Sequence, residues 1–567
     1  MPDESKAPSS DEESHAEAAK RRAVRSRKAA RWQLSGWLWV VSWLVPLGLL
    51  GGFMTTMMRC PQVFTKPPAF GFHLPSEEAI PKPVPRNEGK AIDEKDVTWR
   101  FRFAPTGTEF SAGIPYWIFR AMPGLFDEVF AGKGYERFGF TVEDDEYYRE
   151  TPLPRGMTLS DTLVALPFFK FSVKLKRVAL NCAACHRGEY VEDGRRVLVD
   201  GMPNHSADLQ GFKSFFVSAF RDPRFASGPV IDEINRLLEA DGSNALEPFE
   251  EALYAGLVEV MRRRGEKGST AWMDSRPVNG VGRIDPFNAV KFEVLKVPDD
   301  STVATIDFPA VWNQGAAIRP WHHYDGNTAD SSARNYGSVV GVGGAALSVN
   351  KPTVSDVGLW LDALPPPPYP FEPPEAADVE QGLQLFSENC ARCHGLYDRA
   401  KNTVTQVADG SLYMRRVEIG TDAERLRAFP PEAAEALNDW GARRNLWPRN
   451  AFRGSDPKAD EHGYLCGPLD GVWARAPYLH NGSVPNIAEL LKPPAERARS
   501  FYRGSHRYDQ ENMGWASTEA HQGARKLFEY EARDAAGTPI PGNGNQGHPF
   551  TVEEEKRAFL IAYLKTL

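Results

Sequence analysis

The sequence predicts a mostly α-helical protein in which an N-terminal transmembrane helix precedes two helical domains with long loops. Three features lead to this prediction: an uncharged run from Trp32 to Met58, two widely separated Cys-x-x-Cys-His motifs, and a proline-rich segment between those motifs. Of the 567 residues, 42% are hydrophobic and 25% are charged, which is the composition of a globular protein with two or three domains. The net charge of -8 argues against binding to nucleic acid, which requires clustered basic surface.

The uncharged run at 32–58 is the candidate transmembrane anchor. At about 1.5 Å per residue its length exceeds the roughly 30 Å hydrocarbon core of a bilayer. Basic residues precede it, so the positive-inside rule makes 1–31 a cytoplasmic tail and sends the rest of the chain across the membrane. A cleaved signal peptide is the alternative, but the long preceding region and the long apolar run disfavour it.

Each Cys-x-x-Cys-His motif has the spacing of a covalent haem attachment site. The two copies are Cys182-Ala-Ala-Cys185-His186 and Cys390-Ala-Arg-Cys393-His394. Two thiols three residues apart can bond to the two vinyl groups of one haem, and the following histidine ligates the iron. A zinc site would need both cysteine pairs to converge, and a redox Cys-x-x-Cys would not need the histidine. The motifs therefore predict two haem c groups with His186 and His394 as axial ligands.

The two helical domains are thus predicted to be cytochrome c-type haem domains. Seven of the ten residues from Pro365 to Pro374 are prolines, which is typical of a semi-rigid spacer. We therefore expect a divergent N-terminal haem domain at 59–364, a linker at 365–375 and a C-terminal cytochrome c domain at 376–567. Because c-type haem is attached outside the bacterial cytoplasm, the predicted location is the inner membrane, single-pass, with the haem domains in the periplasm.

The flanks of the second motif predict two helices that cross. Gly382, Phe386 and Cys390 lie on one helical face that leads into the haem attachment turn. Near the C-terminus, Thr551-x-x-Glu554 reads as a capping box that opens a final helix with an apolar stripe. Gly382 would permit close approach of these helices.

An internal similarity links the two halves of the chain. After the first motif, Val311-Trp312-Asn313 leads to Tyr324-Asp325-Gly326-Asn327, and after the second, Val472-Trp473-Ala474 leads to His480-Asn481-Gly482-Ser483. The Asp-Gly and Asn-Gly pairs are turn signals, so the pattern predicts a duplicated haem domain, with chance similarity of turns as the alternative.

Histidines are the first candidates for the sixth position of each iron. His548 follows a loop rich in Gly and Asn just before the last helix, which suits a distal ligand of the C-terminal haem. His480 is the rival candidate. The residues left without an assignment are His205, His322, His323, His462, His506, His521 and Met202. Cys60 and Cys466 are also left over, and a disulfide between them is an open alternative.

With these motifs the chain resembles the dihaem cytochrome c peroxidase superfamily, and most closely its rubber-oxygenase branch, from about Tyr116 to Leu567. The resemblance implies that the N-terminal haem activates dioxygen or peroxide, while the C-terminal haem, held by His394 and His548, relays electrons. It also implies calcium as an additional candidate cofactor, since relatives carry this ion between their haems. Besides the haem motifs, the resemblance rests on Gly282-Arg283-Ile284-Asp285-Pro286-Phe287-Asn288, Ala476-Pro477-Tyr478-Leu479-His480-Asn481-Gly482-Ser483-Val484-Pro485 and Gly544-Asn545-Gln546-Gly547-His548.

The chain departs from its peroxidase relatives at two places. Those relatives place a Trp-Asp-Gly motif between the haems, where this sequence has Tyr324-Asp325-Gly326. The resemblance puts Tyr324 on the electron route between the haems, and simple packing under a haem is the alternative. Relatives also place a distal Glu after that motif, whereas Ser331 to Ser355 contains no carboxylate, which disfavours peroxide cleavage by an acid/base.

The predicted function is therefore that of a haem-dependent oxidoreductase. Its expected partners are dioxygen or hydrogen peroxide, a redox partner protein or small electron donor, and the membrane through the single helix. The alternative is a non-catalytic, membrane-anchored dihaem cytochrome that only transfers electrons. Assignment of an organic substrate would rest on analogy alone.

Overall fold

The computed structural model describes residues 93–143, 153–165, 172–267, 271–315, 318–319, 321–405, 416–458 and 463–567. Of these residues 39% are helical and 15% lie in strands, so the fold is mixed α/β. The prediction of a mostly α protein is wrong because many connections fold back as two-stranded antiparallel ribbons. Periodicity does not reveal such short strands.

The structure also corrects the membrane prediction. None of the helices in the described ranges combines the length and the apolar composition needed to cross a bilayer. The predicted span, 32–58, lies outside the described residues, as do most of the predicted tail and the basic cluster. The predicted transmembrane helix, and the single-pass inner-membrane location derived from it, are therefore not part of the structure that the described residues show.

The helices are numbered α1 to α17 in chain order. The first nine are α1 Glu94–Phe103, α2 Tyr116–Leu125, α3 Asp127–Phe130, α4 Ala183–His186, α5 Leu209–Ala219, α6 Ser227–Ala240, α7 Pro248–Lys267, α8 Ala271–Asp274 and α9 Pro286–Asn288. The remaining eight are α10 Ser331–Gly341, α11 Lys351–Ala363, α12 Ala376–Asn389, α13 Ala391–His394, α14 Glu424–Ala428, α15 Pro431–Ala442, α16 Ile487–Leu490 and α17 Glu554–Leu564. Single 3₁₀ turns occur at Thr108–Phe110, Gly134–Phe138 and Val472–Arg475, and a π-helical turn at Ala289–Val294.

The strands are short. In chain order they are β1 Ile114–Pro115, β2 Met157–Ala165, β3 Ser172–Leu180, β4 Arg187–Glu192, β5 Arg195–Asp200, β6 Arg283–Ile284, β7 Ile306–Asp307, β8 Leu396–Asp398 and β9 Thr403–Thr405. They continue with β10 Arg416–Val417, β11 Tyr464–Leu465, β12 Ser500–Arg503, β13 Tyr508–Asp509, β14 Gly514–Trp515, β15 His521–Gln522, β16 Arg525–Lys526 and β17 Phe528–Glu531. The described strands form one three-stranded sheet of order β1-β3-β2 and seven two-stranded ribbons.

The chain divides into two compact units. The described part of the first unit comprises 161–165, 172–175 and 220–266. Its helix α6 buries Val230, Ile234 and Leu238, which recur every four residues and so form one apolar face.

The second unit, whose described residues lie within 93–160, 176–219 and 267–567, contains both Cys-x-x-Cys-His motifs. One hydrophobic core of this unit joins Tyr190 and Trp312 from before the proline segment to Phe386 and Trp473 from after it. The proline segment is itself hydrogen-bonded to this unit, because Trp473 Nε1 donates to the carbonyl oxygen of Pro367 at 3.0 Å. The predicted division into domains at 59–364, 365–375 and 376–567 stays a prediction.

The predicted crossing of two helices beside the second motif is confirmed. Helices α12 and α17 pack together, and the rings of Phe386 and Tyr563 lie 5.1 Å apart. A Cβ atom placed on Gly382 would lie 2.0 Å from the carbonyl oxygen of Phe559, so only glycine fits at the crossing.

The predicted capping box at Thr551 is wrong. Helix α17 begins at Glu554 with Glu553 as its N-cap, and no side chain caps it. The backbone N–H of Val552 donates to the carbonyl oxygen of Leu491 at 3.3 Å, and this bond ties the chain before the helix to a neighbouring segment.

A buried ionic cluster holds the hairpin of β4 and β5. The Glu189 carboxylate, fully buried, accepts hydrogen bonds from Arg155 at 2.9 Å and from Arg196 at 2.5 Å. His506 Nδ1 lies 2.9 Å from the other carboxylate oxygen. Burial alone would raise the pKa of Glu189, but the adjacent His506 and Arg155 outweigh it and lower the pKa well below 4.5.

Candidate haem-binding site

A cavity of about 350 Å³ lies inside the second unit. Cys390, Cys393 and His394 of the second motif line one part of it, and Pro309, Tyr324 and Arg334 line another. Its size is within the range of ligand pockets, roughly 300–1,000 Å³. The cavity therefore brings the second motif together with residues that surround the first.

The first motif is shaped by a single helical turn. The Asn181 side chain accepts a hydrogen bond from Ala183 N at 3.1 Å, and this bond holds the start of α4, the turn that carries Cys185 and His186. His186 Nδ1 donates to the carbonyl oxygen of Pro309 at 3.0 Å. This bond orients the imidazole and leaves Nε2 for a metal, which is the usual arrangement of a histidine ligand.

The second motif repeats this arrangement. His394 Nδ1 donates to the carbonyl oxygen of Gly467 at 2.8 Å, which again leaves Nε2 available. Both acceptors are backbone carbonyls that lie far along the chain, 123 residues after the first histidine and 73 after the second. Sequence reasoning missed Pro309 and Gly467, although each precedes a Val-Trp pair of the internal repeat.

The cysteines of the first motif are largely surrounded by protein. Burial raises the pKa of the Cys182 thiol to about 11 and that of Cys185 to about 12. Both side chains are nevertheless only half-buried by accessible area, as is His186. None of Cys182, Cys185 and His186 is among the residues that line the cavity of about 350 Å³.

The internal repeat is visible in the backbone. His322 N donates to Thr328 O at 2.8 Å in the first copy, and Tyr478 N donates to Val484 O at 2.7 Å in the second. The next residues, His323 and Leu479, both have a φ of 65°. Tyr324 and His480 therefore occupy equivalent positions, as the sequence pattern predicted.

The two copies also exchange strands, in the sense that a strand of each copy donates a backbone hydrogen bond to the turn of the other copy. Leu465 N in β11 donates to Tyr324 O at 2.7 Å, and Asp307 N in β7 donates to His480 O at 2.9 Å. Each of these strands lies two residues before the carbonyl that fixes a motif histidine. The exchange therefore connects Tyr324 to the acceptor segment of His394, and His480 to that of His186.

The copies differ in how they anchor the turn. In the first, Asp325 forms a buried ion pair with Arg425 at 2.8 Å. In the second, the equivalent Asn481 donates to the carbonyl oxygen of Gly544 at 3.0 Å. The Arg425 guanidinium also lies 4.2 Å from the centre of the Phe287 ring.

His548 lies in the wall of the cavity near the second motif. The next aromatic residue, Phe550, has its ring 5.8 Å from the guanidinium carbon of Arg392 inside the motif. His548 Nδ1 is buried and has no hydrogen-bond partner among the described residues. Burial, together with the nearby His394 and Arg497, lowers the pKa of His548 to about 3, so the ring is neutral and able to bind iron.

The rival candidate, His480, also lines the cavity. Its ring stacks on Tyr464 at 4.0 Å and lies 6.4 Å from that of Tyr324. Its Nε2 is buried without a hydrogen-bond partner in the described part of the chain. Burial raises the pKa of the Tyr324 phenol, so Tyr324 is protonated at neutral pH.

The remaining histidines have varied surroundings. His322 and His323 line the cavity, and His323 Nδ1 is hydrogen-bonded to the Asn327 side-chain oxygen at 2.7 Å. His205 stacks on Trp515 at 3.9 Å, outside the lining of the cavity. His462 lies outside the described residues, and His521 is exposed.

Three smaller predictions concern sulfur atoms and calcium. Met202 is fully buried in the hydrophobic core of the second unit. Cys466 is buried and Cys60 lies outside the described residues, so their pairing stays a prediction. Across the described ranges, no three His, Cys, Asp or Glu side chains cluster to hold a metal ion, and calcium likewise stays a prediction.

Comparison with known proteins supports a cytochrome for part of the chain. Residues 463–502 match a family model described as RoxA-like, cytochrome c-like. This segment contains Gly467 and the turn at His480, so the match coincides with the second copy of the repeat. The chain thus contains a cytochrome c-like segment, and the cofactor of such domains is haem c.

Two relatives come from Sinorhizobium fredii. The chain is 28% identical over 533 residues to the uncharacterized protein y4iJ, an alignment that covers 76% of this chain and 84% of that protein. It is 33% identical over 250 residues to the uncharacterized protein y4iM, covering 40% of this chain and 54% of that protein. The names of these relatives state no activity.

Proposed function

We propose that this chain is a dihaem c-type cytochrome oxidoreductase. Its N-terminal haem, attached to Cys182 and Cys185, would activate dioxygen or peroxide, and its C-terminal haem, attached to Cys390 and Cys393, would relay electrons. The observation that carries the proposal is the shared geometry of the two motif histidines. Both histidines donate Nδ1–H to a backbone carbonyl, at 3.0 and 2.8 Å, and both keep Nε2 for iron.

The described residues fit haem c. The cavity contains the second motif and a neutral histidine, His548, whose Nδ1 lacks a partner among the described residues. Haem supplies an iron that binds dioxygen or peroxide and exchanges single electrons. The chain would hold His186 and His394 in one tautomer, keep His548 neutral, and exclude water from the apolar cavity wall.

The proposal assigns unequal roles to the two haems. At the second motif, His394 and His548 would both ligate the iron, which suits electron transfer without substrate binding. Tyr324, in the cavity wall between the copies, is proposed to lie on the electron route. Since its buried phenol is protonated, loss of an electron from Tyr324 would require loss of the proton.

One observation favours the alternative of a non-catalytic electron carrier. His322 lines the cavity, and its side chain is buried. Burial lowers the pKa of His322 to about 3, so the ring is neutral and could serve as a sixth ligand at the first motif. Such ligation would close the N-terminal haem to dioxygen and peroxide.

The deciding experiment is electron paramagnetic resonance with optical spectroscopy on the purified holoprotein. Spectra are recorded as isolated and after addition of dioxygen, peroxide or carbon monoxide. We expect one low-spin haem that ignores these ligands and one haem that is high-spin or binds them. Two low-spin haems that stay inert after reduction would identify an electron carrier instead.

The ligand assignment at the second motif is tested by His548→Ala. We expect the C-terminal haem to change from low-spin to high-spin while both haems remain covalently attached. His521→Ala, at an exposed position in β15, is the matched control and should leave the spectrum unchanged. If His480→Ala produces the spin change and His548→Ala does not, His480 is the ligand.

A further inference from the structure

Arg497 is a buried arginine beside the loop that carries His548. It follows α16, and 4% of its surface is exposed. One guanidinium nitrogen, Nη1, donates to the carbonyl oxygens of Asn545 and Gly547, both at 2.8 Å. The other, Nη2, donates to the carbonyl oxygen of His548 at 2.8 Å and to that of Leu490 at 3.0 Å. The guanidinium therefore joins the end of α16 to three residues of the loop.

The backbone of this loop needs such support. Gly547 has a φ of 77° and His548 a φ of 49°, so both lie in the left-handed region. This region is uncommon for a residue other than glycine, and surrounding contacts have to hold the backbone there. The N–H of His548 donates to the carbonyl oxygen of Ile419 at 2.9 Å. Both backbone polar groups of His548 are therefore bound, one by Ile419 and the other by Arg497.

An arginine suits this position better than a lysine. Its planar guanidinium presents several donors in a fixed arrangement, so one side chain can bind three carbonyls of the same loop. Burial and the nearby Arg533 lower the pKa of Arg497 to about 10, and Glu489 opposes them, so the group stays charged at neutral pH. Hydrogen bonds from a charged donor are stronger than those from a neutral one. The loop is thus held by charge-assisted bonds.

A second arginine holds the same loop through a side chain. Arg533 Nε donates to Asn545 Oδ1 at 2.9 Å, and Asn545 Nδ2 donates to the carbonyl oxygen of Ala498 at 2.8 Å. Arg533 therefore fixes Asn545, whereas Arg497 contacts the backbone of His548 itself. The imidazole of His548 has no hydrogen bond at Nδ1 among the described residues, so its place in the cavity wall depends on the backbone that carries it.

We propose that Arg497 is the positioning residue for His548: by binding the carbonyls of the loop, it holds the imidazole where it can ligate the iron at the second motif. His186 and His394 are oriented by a hydrogen bond from their own rings, whereas His548 takes its orientation from the backbone. This inference rests on the proposed function, in which His548 is the distal ligand of the C-terminal haem. Loss of Arg497 would free the loop and leave the sixth position of that iron without its protein ligand.

The test compares Arg497→Gln with His548→Ala in the oxidised holoprotein, by electron paramagnetic resonance and optical spectroscopy. We expect Arg497→Gln to raise the high-spin population of the C-terminal haem at least about tenfold, equivalent to about 1.4 kcal/mol, because it removes charge-assisted hydrogen bonds from the loop. Added imidazole should restore the low-spin signal of this haem in both variants, since it can occupy the position that His548 leaves. The wild type with the same imidazole gives the contribution of the N-terminal haem.

Arg499→Gln is the matched control, because Arg499 is exposed and lies two residues further along the chain. Its spectrum should equal that of the wild type. Circular dichroism establishes that each variant is folded. If Arg497→Gln does not fold, Arg497→Lys takes its place, because it keeps the charge but lacks the planar fork. We expect Arg497→Lys to show a smaller rise in the high-spin population that imidazole again reverses, and a wild-type spectrum in this variant would refute the role of the hydrogen bonds.

The outcomes separate this inference from the proposed function. If His548→Ala changes the spectrum and Arg497→Gln does not, the positioning role is refuted while His548 stands as the ligand. If neither variant changes the spectrum, the ligand assignment and the positioning role are both refuted. A high-spin Arg497→Gln that imidazole does not restore would indicate a general loss of structure at the haem, and this result would also refute a positioning role.

Discussion

Replacement of Gly382 by alanine should destabilise the second unit, because α12 and α17 touch at this residue. The new Cβ would lie 2.0 Å from the carbonyl oxygen of Phe559 and 2.7 Å from Cβ of Tyr563. Both obstacles belong to the backbone or to its first side-chain atom, so a rotamer change cannot remove them. The helices would have to separate.

The size of the effect follows from two opposing contributions. An ordinary contact distance is roughly 3.5 Å, so the helices must move apart by roughly 1.5 Å. Overpacking of this kind typically costs about 1–3 kcal/mol, and the upper end is appropriate for a clash with backbone. Alanine in a helix is about 1 kcal/mol more favourable than glycine. We therefore expect Gly382→Ala to lower the free energy of unfolding by about 2 kcal/mol.

The assay is urea unfolding of the holoprotein, followed by circular dichroism and by the haem absorption band. Gly341→Ala is the matched control, since Gly341 ends α10 and has no atom within 4 Å of the position of its added Cβ. This control should be neutral or stabilising. Wild-type stability in Gly382→Ala would refute the helix crossing described here.

Two further predictions concern buried charges. Arg425→Met should lower the free energy of unfolding by about 3–5 kcal/mol, since it leaves Asp325 buried without its partner, and adding Asp325→Asn should recover most of that loss in urea titrations. Glu189→Gln should also be destabilising, but by an amount that depends on pH. Because the pKa of Glu189 lies well below its ordinary value of 4.5, its stabilising effect is complete above that pH and is lost as pH falls. The stability difference between wild type and Glu189→Gln should therefore shrink between about pH 6 and pH 3, and a constant difference would contradict the ion-pair role of Glu189.

Features with a strong local signal could be predicted from the sequence. Gly382 was predicted correctly because a small residue on an otherwise apolar helix face marks a close approach. The equivalence of Tyr324 and His480 was also predicted correctly, because Asp-Gly and Asn-Gly pairs fix a turn wherever they occur. In both cases the residue type itself carries the conformational information.

Features that depend on distant partners could not be predicted. Strands β6 and β7 have two residues each and are separated by the segment 285–305, so no alternation of apolar residues reveals them. The carbonyl groups of Pro309 and Gly467 carry no side-chain signal, although they orient both motif histidines.

The exchange of strands between the two copies has the form of an isologous contact. In such a contact one surface meets an identical copy of itself, as in a two-fold symmetric homodimer. A chain with one copy of this repeat could make the same contact only by finding a second chain, at a rate and extent set by protein concentration. Joining both copies through the segment at 365–375 makes the pairing intramolecular, so its effective concentration is set by the linker. The two halves of the cavity should therefore stay together at any dilution.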